Sequence, residues 1–95
     1  MLVRAIAPSL VNDGVSNPLP DPILSIHNKD GVALYLNDNW QDNPQAADII
    51  ATGAPPSDPN ESAILAGFAP GNYTAVVAGK DGATGVALVE VYHIK

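Results

Sequence analysis

Arg4 and Glu90 are the two charged residues that stand inside strongly apolar runs, residues 2–7 and 86–93. An isolated buried charge is costly, and pairing with an opposite charge offsets much of that cost. We therefore predict a structural ion pair between Arg4 and Glu90 that joins the first and last strands. As a general acid or base, Glu90 would need a second carboxylate or a nucleophile beside it, and the sequence places none there.

The segment 37–42, with the sequence NDNWQD, is the densest cluster of oxygen-bearing side chains. Calcium takes several oxygen ligands from short loops, and Asp38 and Asp42 are the best candidate metal ligands. The spacing lacks the Asp, Asn, Gly and terminal Glu arrangement of a helix-loop-helix calcium site. Asn and Asp also form turns and cap helices, so turn formation is the alternative.

Trp40 and Tyr35 could form an aromatic platform that stacks on sugar rings. This chain contains one Trp, and the alternative is that Trp40 plugs one end of the core with its indole N–H hydrogen-bonded. His27 and His93 lie on different predicted strands, without a Ser-His-Asp context or a short metal-ligand spacing. We therefore expect both histidines at the surface or at a sheet edge.

Asn60 and Asn72 each begin an N-glycosylation acceptor pattern, which requires a surface position. The chain has no cysteine, which excludes disulfides, thiolate metal sites and thiol nucleophiles. No nucleophile-base pair, metal-ligand motif or cofactor fingerprint is recognisable in the sequence. We therefore do not expect an enzyme, and we expect no cofactor other than calcium at the segment 37–42.

The charge balance is acidic, with 10 Asp and Glu against 4 Lys and Arg and a net charge of -6. Phosphate binding needs a cationic face that four basic residues cannot assemble, so we expect no nucleic-acid partner. No apolar run approaches the roughly 20 residues that span a bilayer, so we expect no membrane insertion. The length of 95 residues predicts one domain, residues 1–95, which could be one repeat of a longer protein.

Runs rich in Val, Ile, Leu, Thr and Tyr predict six strands and an all-β fold, a small antiparallel sandwich of jelly-roll or immunoglobulin-like type. Asp-Gly turns predict two hairpins, one around residues 28–31 and one between residues 79 and 86. In the run 32–37, Val32, Leu34 and Leu36 alternate with other residues, which predicts that one face is buried. Pro44 and Gly53 bound one short helical turn at residues 44–52.

Six strands are few for two packed sheets, and one strand could come from elsewhere. A first strand that begins at the start of the chain, in a domain with an uncovered edge, is suited to strand exchange or edge-to-edge assembly with copies or neighbouring repeats. The alternative is a complete monomer with polar edges.

Several segments together resemble one family, a β-sandwich module that occurs, often in tandem repeats, in large secreted and surface proteins of environmental bacteria. It is distantly similar to the bacterial pre-peptidase C-terminal domains. The segments are Arg4-Ala5-Ile6-Ala7-Pro8-Ser9-Leu10, Asp21-Pro22-Ile23-Leu24, Asn37-Asp38-Asn39-Trp40, Glu61-Ser62-Ala63-Ile64-Leu65, Pro70-Gly71-Asn72-Tyr73-Thr74 and Val86-Ala87-Leu88-Val89-Glu90-Val91-Tyr92.

The resemblance implies a non-catalytic module at the cell surface or outside the cell. We expect a structural role as a repeat or filament subunit, spacer or adhesion unit that assembles through strand edges. The alternative is a carbohydrate-binding module, appended to a secreted enzyme, that binds polysaccharide through Trp40 and Tyr35.

Overall fold

The structure, a computed structural model, describes residues 1–68 and 72–92. Six strands carry the fold: β1 Leu2–Ile6, β2 Pro22–His27, β3 Ala33–Asn37, β4 Ser62–Leu65, β5 Thr74–Gly79 and β6 Leu88–Tyr92. One α-helix, α1, spans Ala46–Ala51. Short 3-10 helices are formed by Pro8–Asp13, Trp40–Asp42 and Lys80–Gly82.

The strands form two three-stranded antiparallel sheets. Sheet I has the order β4-β1-β6 and sheet II the order β3-β2-β5. The central strands, β1 and β2, are each bonded on both sides, whereas the other four strands are edges. The predicted all-β sandwich is confirmed.

The main core lies between the two sheets. Val3 and Ala5 of β1 pack there against Leu24 and Ile26 of β2, with Ile64 of β4 beside them. These residues alternate with outward-facing ones along each strand, which is the period of two that a half-buried strand requires. Burial of these branched side chains is the main stabilising term of the fold.

A second cluster covers the outer face of sheet I. Leu2 and Ala63 project from that face and contact Trp40 and Ile49, which come from the segment between β3 and β4. The predicted helical turn at 44–52 is therefore present as α1, and its buried residue is Ile49. Gly53 follows it at φ 82°, a conformation that favours glycine. The outer face of sheet II has no such cover in the described part of the chain.

The first predicted hairpin is confirmed by the antiparallel pair of β2 and β3. Its turn is held by Asn28, whose Oδ1 accepts hydrogen bonds from the N–H groups of Asp30 and Val32 at 2.9 and 3.0 Å. Gly31 takes the positive φ, 82°, that the turn needs.

The second predicted hairpin is wrong. β5 pairs with β2 in sheet II, and β6 pairs with β1 in sheet I, so the connection between them crosses from one sheet to the other. The turn chemistry itself is present, because Asp81 and Gly82 have positive φ values of 57° and 78°. A local turn signal reports a change of chain direction and not which strands pair afterwards.

The prediction that Leu34 and Leu36 lie on a buried face of β3 is also wrong. Leu34 and Leu36 lie on the outside of sheet II, and Leu36 is 72% exposed. Tyr35 stands opposite Ile26 on the inner face, where its ring contacts the Phe68 ring edge-on at 5.7 Å. The predicted surface or sheet-edge position of His93 lies outside the described residues.

Candidate functional site

The predicted pair of terminal strands is joined by an ion pair. β1 and β6 are neighbours, Arg4 stands opposite Glu90, and the guanidinium Nη2 contacts the Glu90 carboxylate Oε1. Nη2 also donates to the Tyr92 hydroxyl at 3.1 Å, and the guanidinium lies 5.0 Å from the centre of the Tyr92 ring. Nη1 donates to the Ala54 carbonyl at 3.3 Å, which ties the loop after α1 to sheet I. These contacts give Arg4 and Glu90 a structural role.

Asp38, a candidate calcium ligand, is paired with a lysine. The Lys80 ammonium lies 3.0 Å from Asp38 Oδ2 and 3.9 Å from Asp21 Oδ2, so it bridges two carboxylates. Asp42, the second candidate ligand, lies in the 3-10 helix that follows. Within residues 1–68 and 72–92, no three or more acidic, histidine or cysteine side chains gather in a group that could hold a metal ion. Calcium at Asp38 and Asp42 remains a prediction, in which the ion would compete with Lys80.

The pKa values of Asp21 and Lys80 are both raised above their ordinary values by the surrounding groups. Burial is the main cause that raises the pKa of Asp21 above its ordinary value, and a hydrogen bond and repulsion from Asp38 raise it further. The hydrogen bond to Asp38 and the negative charge of that residue raise the pKa of Lys80. Oδ1 of Asp21 and Oδ1 of Asp38 are both buried without a donor among the described residues. Protonation of Asp21 would supply the missing donor.

A cavity of about 360 Å³ lies beside the segment 37–42, between the edge of β3, the loop after Trp40–Asp42 and the end of β4. Amide and carboxyl side chains line it together with Tyr35 and with four apolar residues, Leu36, Pro44, Ile64 and Leu65. Its volume is at the lower end of the range for small-molecule sites. Oδ1 of Asn39, which lines it, is buried without a donor in the described structure. The amide and carboxyl side chains of the lining are the groups that could accept hydrogen bonds from the hydroxyl or amide donors of a ligand.

The prediction that Trp40 forms part of an aromatic platform for sugar rings is wrong. Only 6% of Trp40 is exposed, and its ring packs in the outer cluster of sheet I, so it cannot stack on a bound sugar. The structure therefore shows the alternative, a Trp that plugs the core. The expected partner for the indole is missing, since Nε1 has no hydrogen-bond partner among the described residues. Tyr35 is 40% exposed and remains accessible.

The two glycosylation patterns differ in accessibility. Asn72 and Thr74 are both exposed, immediately before and at the start of β5. Asn60 is exposed, but Ser62 in its pattern is fully buried, with its hydroxyl 2.6 Å from the Asp38 carbonyl oxygen. Modification remains a prediction at both sites, and the folded chain presents only the pattern at Asn72 completely.

Sequence reasoning missed a serine-histidine contact. Ser25 and His27 lie two residues apart on one face of β2, with Ser25 Oγ 2.9 Å from His27 Nε2 and His27 Nδ1 3.3 Å from the Gly31 carbonyl oxygen. Acyl transfer also needs hydrogen-bond donors for the developing oxyanion. Because β2 is bonded to strands on both sides, its own N–H groups are used in the sheet. β2 itself therefore supplies no such donors, and the pair lies on the outer face of sheet II.

Sequence reasoning also missed Glu61, which is fully buried. Its Oε2 accepts hydrogen bonds from the N–H groups of Ala7 and Ser9 at 2.9 and 3.2 Å and from the Ser9 hydroxyl at 2.6 Å. Its Oε1 accepts a hydrogen bond from the N–H of Asp58 at 3.1 Å. The carboxylate therefore fastens the end of β1 to the start of β4. Its position before the apolar run of β4 was the available signal, since a charge beside such a run needs partners.

The edge of β4 is closed by side chains. Asn37 Oδ1 accepts a hydrogen bond from the Ala63 N–H at 3.0 Å, and Asn43 Nδ2 donates one to the Ala63 carbonyl at 3.0 Å. The N–H of Trp40 donates to the Glu61 carbonyl at 2.9 Å. The polar residues of the segment 37–43 therefore occupy groups that would otherwise be available to another strand.

The edges of β3, β5 and β6 are open. Within residues 1–68 and 72–92, no hydrogen bond reaches residues 33–36, 74–78 or 88–91 from the side away from the paired strand. These edges also expose large apolar side chains. They are Leu34, Tyr35 and Leu36 on β3, Val76 on β5, and Leu88, Val89 and Val91 on β6.

On β6, apolar side chains are exposed even on the inner face of the strand. Val89 and Val91 stand opposite Ala5 and Val3 of β1 and point to the same inner side, yet both are exposed. On β5, Ala75 stands opposite the buried Ile26 and is exposed as well. The sandwich is therefore incompletely covered on the side where β5 and β6 form the edges. This is the strongest candidate for an interaction surface in the described chain.

A scan against protein-family models finds no match for this chain. Searches of the curated proteins and of the solved structures find no match either. The resemblance to the bacterial repeat module therefore remains a prediction. The described residues form no helix with the length and apolar character needed to span a bilayer.

Proposed function

We propose that this chain is a non-catalytic structural module of a bacterial extracellular or cell-surface protein, which assembles with copies of itself or with neighbouring repeats through its strand edges. The observation that carries this proposal is the contrast between the edges. β4 is closed by Asn37 and Asn43, whereas β3, β5 and β6 leave their backbone groups and apolar side chains available. A repeat, filament, spacer or adhesion unit would use such edges to join its neighbours.

The edge of β5 lacks the usual protection against pairing. Natural edge strands carry Lys, Pro, bulges or inward-pointing charges that prevent association. β5 carries none of these within Thr74–Gly79, and the three open strands together contain one charged residue, Glu90, which is paired with Arg4. The location outside the cell is supported by the resemblance alone.

Light scattering of the purified chain over a concentration series tests the proposal. We expect the mass to increase with concentration and with salt, because each copy carries a net charge of -6 and salt screens the repulsion between copies. One lysine on each open edge, in the variants Leu36→Lys, Val76→Lys and Val91→Lys, should show which edges take part. Val11→Lys is the matched control, because Val11 is 60% exposed but lies outside the strands.

A chain that stays monomeric up to millimolar concentration at high salt would refute assembly of the isolated module. Equal association by all four variants and the unmodified chain would refute the role of the edges. In the first case the second candidate function, carbohydrate binding, becomes the better one. The cavity beside Tyr35 favours it, and its amide and carboxyl lining suits the hydroxyls of a neutral saccharide.

Titration with a panel of soluble polysaccharides tests this second candidate. Because Trp40 is buried, its emission should be blue-shifted and should not report on binding directly, so calorimetry is the better measurement. Binding that is lost in Tyr35→Ala but kept in Tyr73→Ala would support it. Tyr73 is a suitable control because its ring also packs against Phe68, 5.0 Å away, but does not line the cavity.

A further inference from the structure

The edge of β5 differs from the other two open edges. β5 pairs with β2 over six residues, from Pro22 to His27, without interruption. β3 pairs with the same strand through a register shift between Ile26 and His27. β6 carries a charge, Glu90, in its middle. β5 is therefore the one of these three edges that is both regular in its pairing and free of charged residues.

We infer that β5 pairs antiparallel with β5 of a second copy of this chain, across a two-fold axis at Val76. The two copies would then share one continuous sheet in which sheet II of one copy extends sheet II of the other. This inference rests on the proposed function, and it names the edge and the register through which assembly begins.

The sequence of β5 is self-complementary in this register. With Val76 on the axis, Val76 stands opposite Val76 of the second copy, Ala75 opposite Val77, and Thr74 opposite Ala78. Directly opposed residues of an antiparallel pair point to the same face. Val76 and Ala78 therefore remain on the outer face of the joined sheet, and Ala75 and Val77 remain on the inner face, in both copies.

Charge favours a second copy at β5 over one at β6. The pairing at Val76 brings no charged side chain opposite another, which matters in a chain with a net charge of -6. The equivalent pairing at the middle of β6 would place Glu90 opposite Glu90, and like charges in opposed positions are destabilising. Lys80, the next residue after β5, is directed toward Asp38 and Asp21 and not toward the open edge.

The joint would also cover the incompletely buried side of the sandwich. β5 and β6 are the edges of the two facing sheets on that side. A second copy placed against β5 therefore approaches Val89 and Val91. These two side chains lie on the inner face of sheet I and are exposed in a single copy. Closed symmetric contacts of this kind are the commonest way in which identical chains associate.

Single cysteines test the axis directly, because the chain has no cysteine of its own. Val76→Cys places two thiols opposite each other on the axis, at a separation that a disulfide can span with little movement. Under mild oxidation we expect Val76→Cys to form a covalent dimer at least about tenfold faster than Leu36→Cys or Val11→Cys, since association raises the local thiol concentration. Both controls are more exposed than Val76, so exposure alone predicts the opposite order.

A mixture of two variants tests the register. Ala75→Cys mixed with Val77→Cys should form mixed dimers faster than either variant alone forms homodimers, because residue 75 stands opposite residue 77 in the inferred pair. Circular dichroism of each variant checks that it is folded. Val76→Lys provides an independent measurement, because two ammonium groups on the axis should abolish the association that Leu36→Lys, on the opposite edge of sheet II, retains.

The possible outcomes separate this inference from the proposed function. If the unmodified chain associates but Val76→Cys cross-links no faster than the controls, the joint lies at another edge, and the inference is wrong while the proposed function stands. If light scattering shows a monomer under all conditions, both are wrong. Association together with fast cross-linking at residue 76 supports both.

Discussion

Val3 and Val91 stand directly opposite each other on neighbouring strands and point to the same inner face, yet Val3 is 3% exposed and Val91 is 59% exposed. The difference arises because Val3 belongs to the core cluster with Leu24 and Ile64, whereas Val91 lies on the edge strand β6 and outside that cluster. One pair of identical residues therefore marks where the core of the single chain ends.

This relationship predicts unequal effects of the same substitution. Val3→Ala should lower the free energy of unfolding by about 2 kcal/mol, because it leaves a cavity among packed side chains. Val91→Ala should change it by less than about 0.5 kcal/mol, because water already contacts the side chain. Urea unfolding at high dilution measures both values for the single copy. Similar losses for the two variants would show that the inner face is closed at β6.

Glu61→Gln should be among the most destabilising conservative changes in the chain. The glutamine amide has one oxygen in place of two acceptors, so buried N–H groups of Ala7 and Ser9 or of Asp58 would face an NH₂ group. We expect a loss of about 3 kcal/mol in the free energy of unfolding. Asp48→Asn, at an exposed position of α1, is the control and should stay within about 0.5 kcal/mol. Equal values for the two variants would contradict the structural role of Glu61.

The Arg4 and Glu90 pair should show a favourable coupling energy. A double-mutant cycle with Arg4→Met and Glu90→Gln, followed by thermal or urea unfolding, isolates the interaction between the two side chains. Because the side chains are 16% and 29% exposed, we expect a coupling of about 1 kcal/mol, between the values of surface and buried pairs. The coupling should persist at high salt. A coupling energy of zero would mean that the two charges lie on the same face of the sheet without stabilising the folded chain.

Asp21 should make stability depend on pH in a predictable direction. Its pKa in the folded chain lies above the ordinary value of 3.8, so the folded state binds the proton more tightly than the unfolded state does. The contribution of Asp21 to the free energy of unfolding therefore increases as the pH falls through the folded pKa and becomes constant below 3.8. At neutral pH its ionisation lowers stability.

Comparison of the chain with Asp21→Asn between about pH 3 and pH 7 checks this sign. The stability of the variant relative to the unmodified chain should be higher at neutral pH than at acidic pH. Asp38→Asn is the matched variant, because it removes the neighbouring carboxylate and should lower the pKa of Asp21 measured by NMR titration. The opposite slope would mean that Lys80 dominates the electrostatics of Asp21.

The sequence predicted the local elements well because short-range chemistry controls them. The Asp30-Gly31 turn between two Leu-containing strands formed the β2 and β3 hairpin, and Pro44 and Gly53 bounded α1. Arg4 and Glu90 could be paired before their strands were known to be neighbours, because each is the one charge in an apolar run and neither could be buried alone.

Other features depended on contacts between distant segments. The turn at Asp81 and Gly82 is compatible with a hairpin or with a crossing between sheets, and only the pairing of β5 with β2 decided between them. The alternation in β3 contains apolar residues in both phases, so only packing against Phe68 decided that Tyr35 faces inward and that Leu36 is exposed.

The sequence by itself thus determined the all-β class, the acidic and cysteine-free composition and the sites of the turns, because these follow from residue types and near neighbours. The tertiary structure alone decided which edges Asn37 and Asn43 close, where Glu61 finds its donors, and that β5 and β6 expose apolar side chains at one side of the sandwich. The exposure of a side chain on an edge strand depends on whether the opposite sheet covers it. A sequence pattern with a period of two gives the face of the strand on which a residue lies, but not how far the opposite sheet extends.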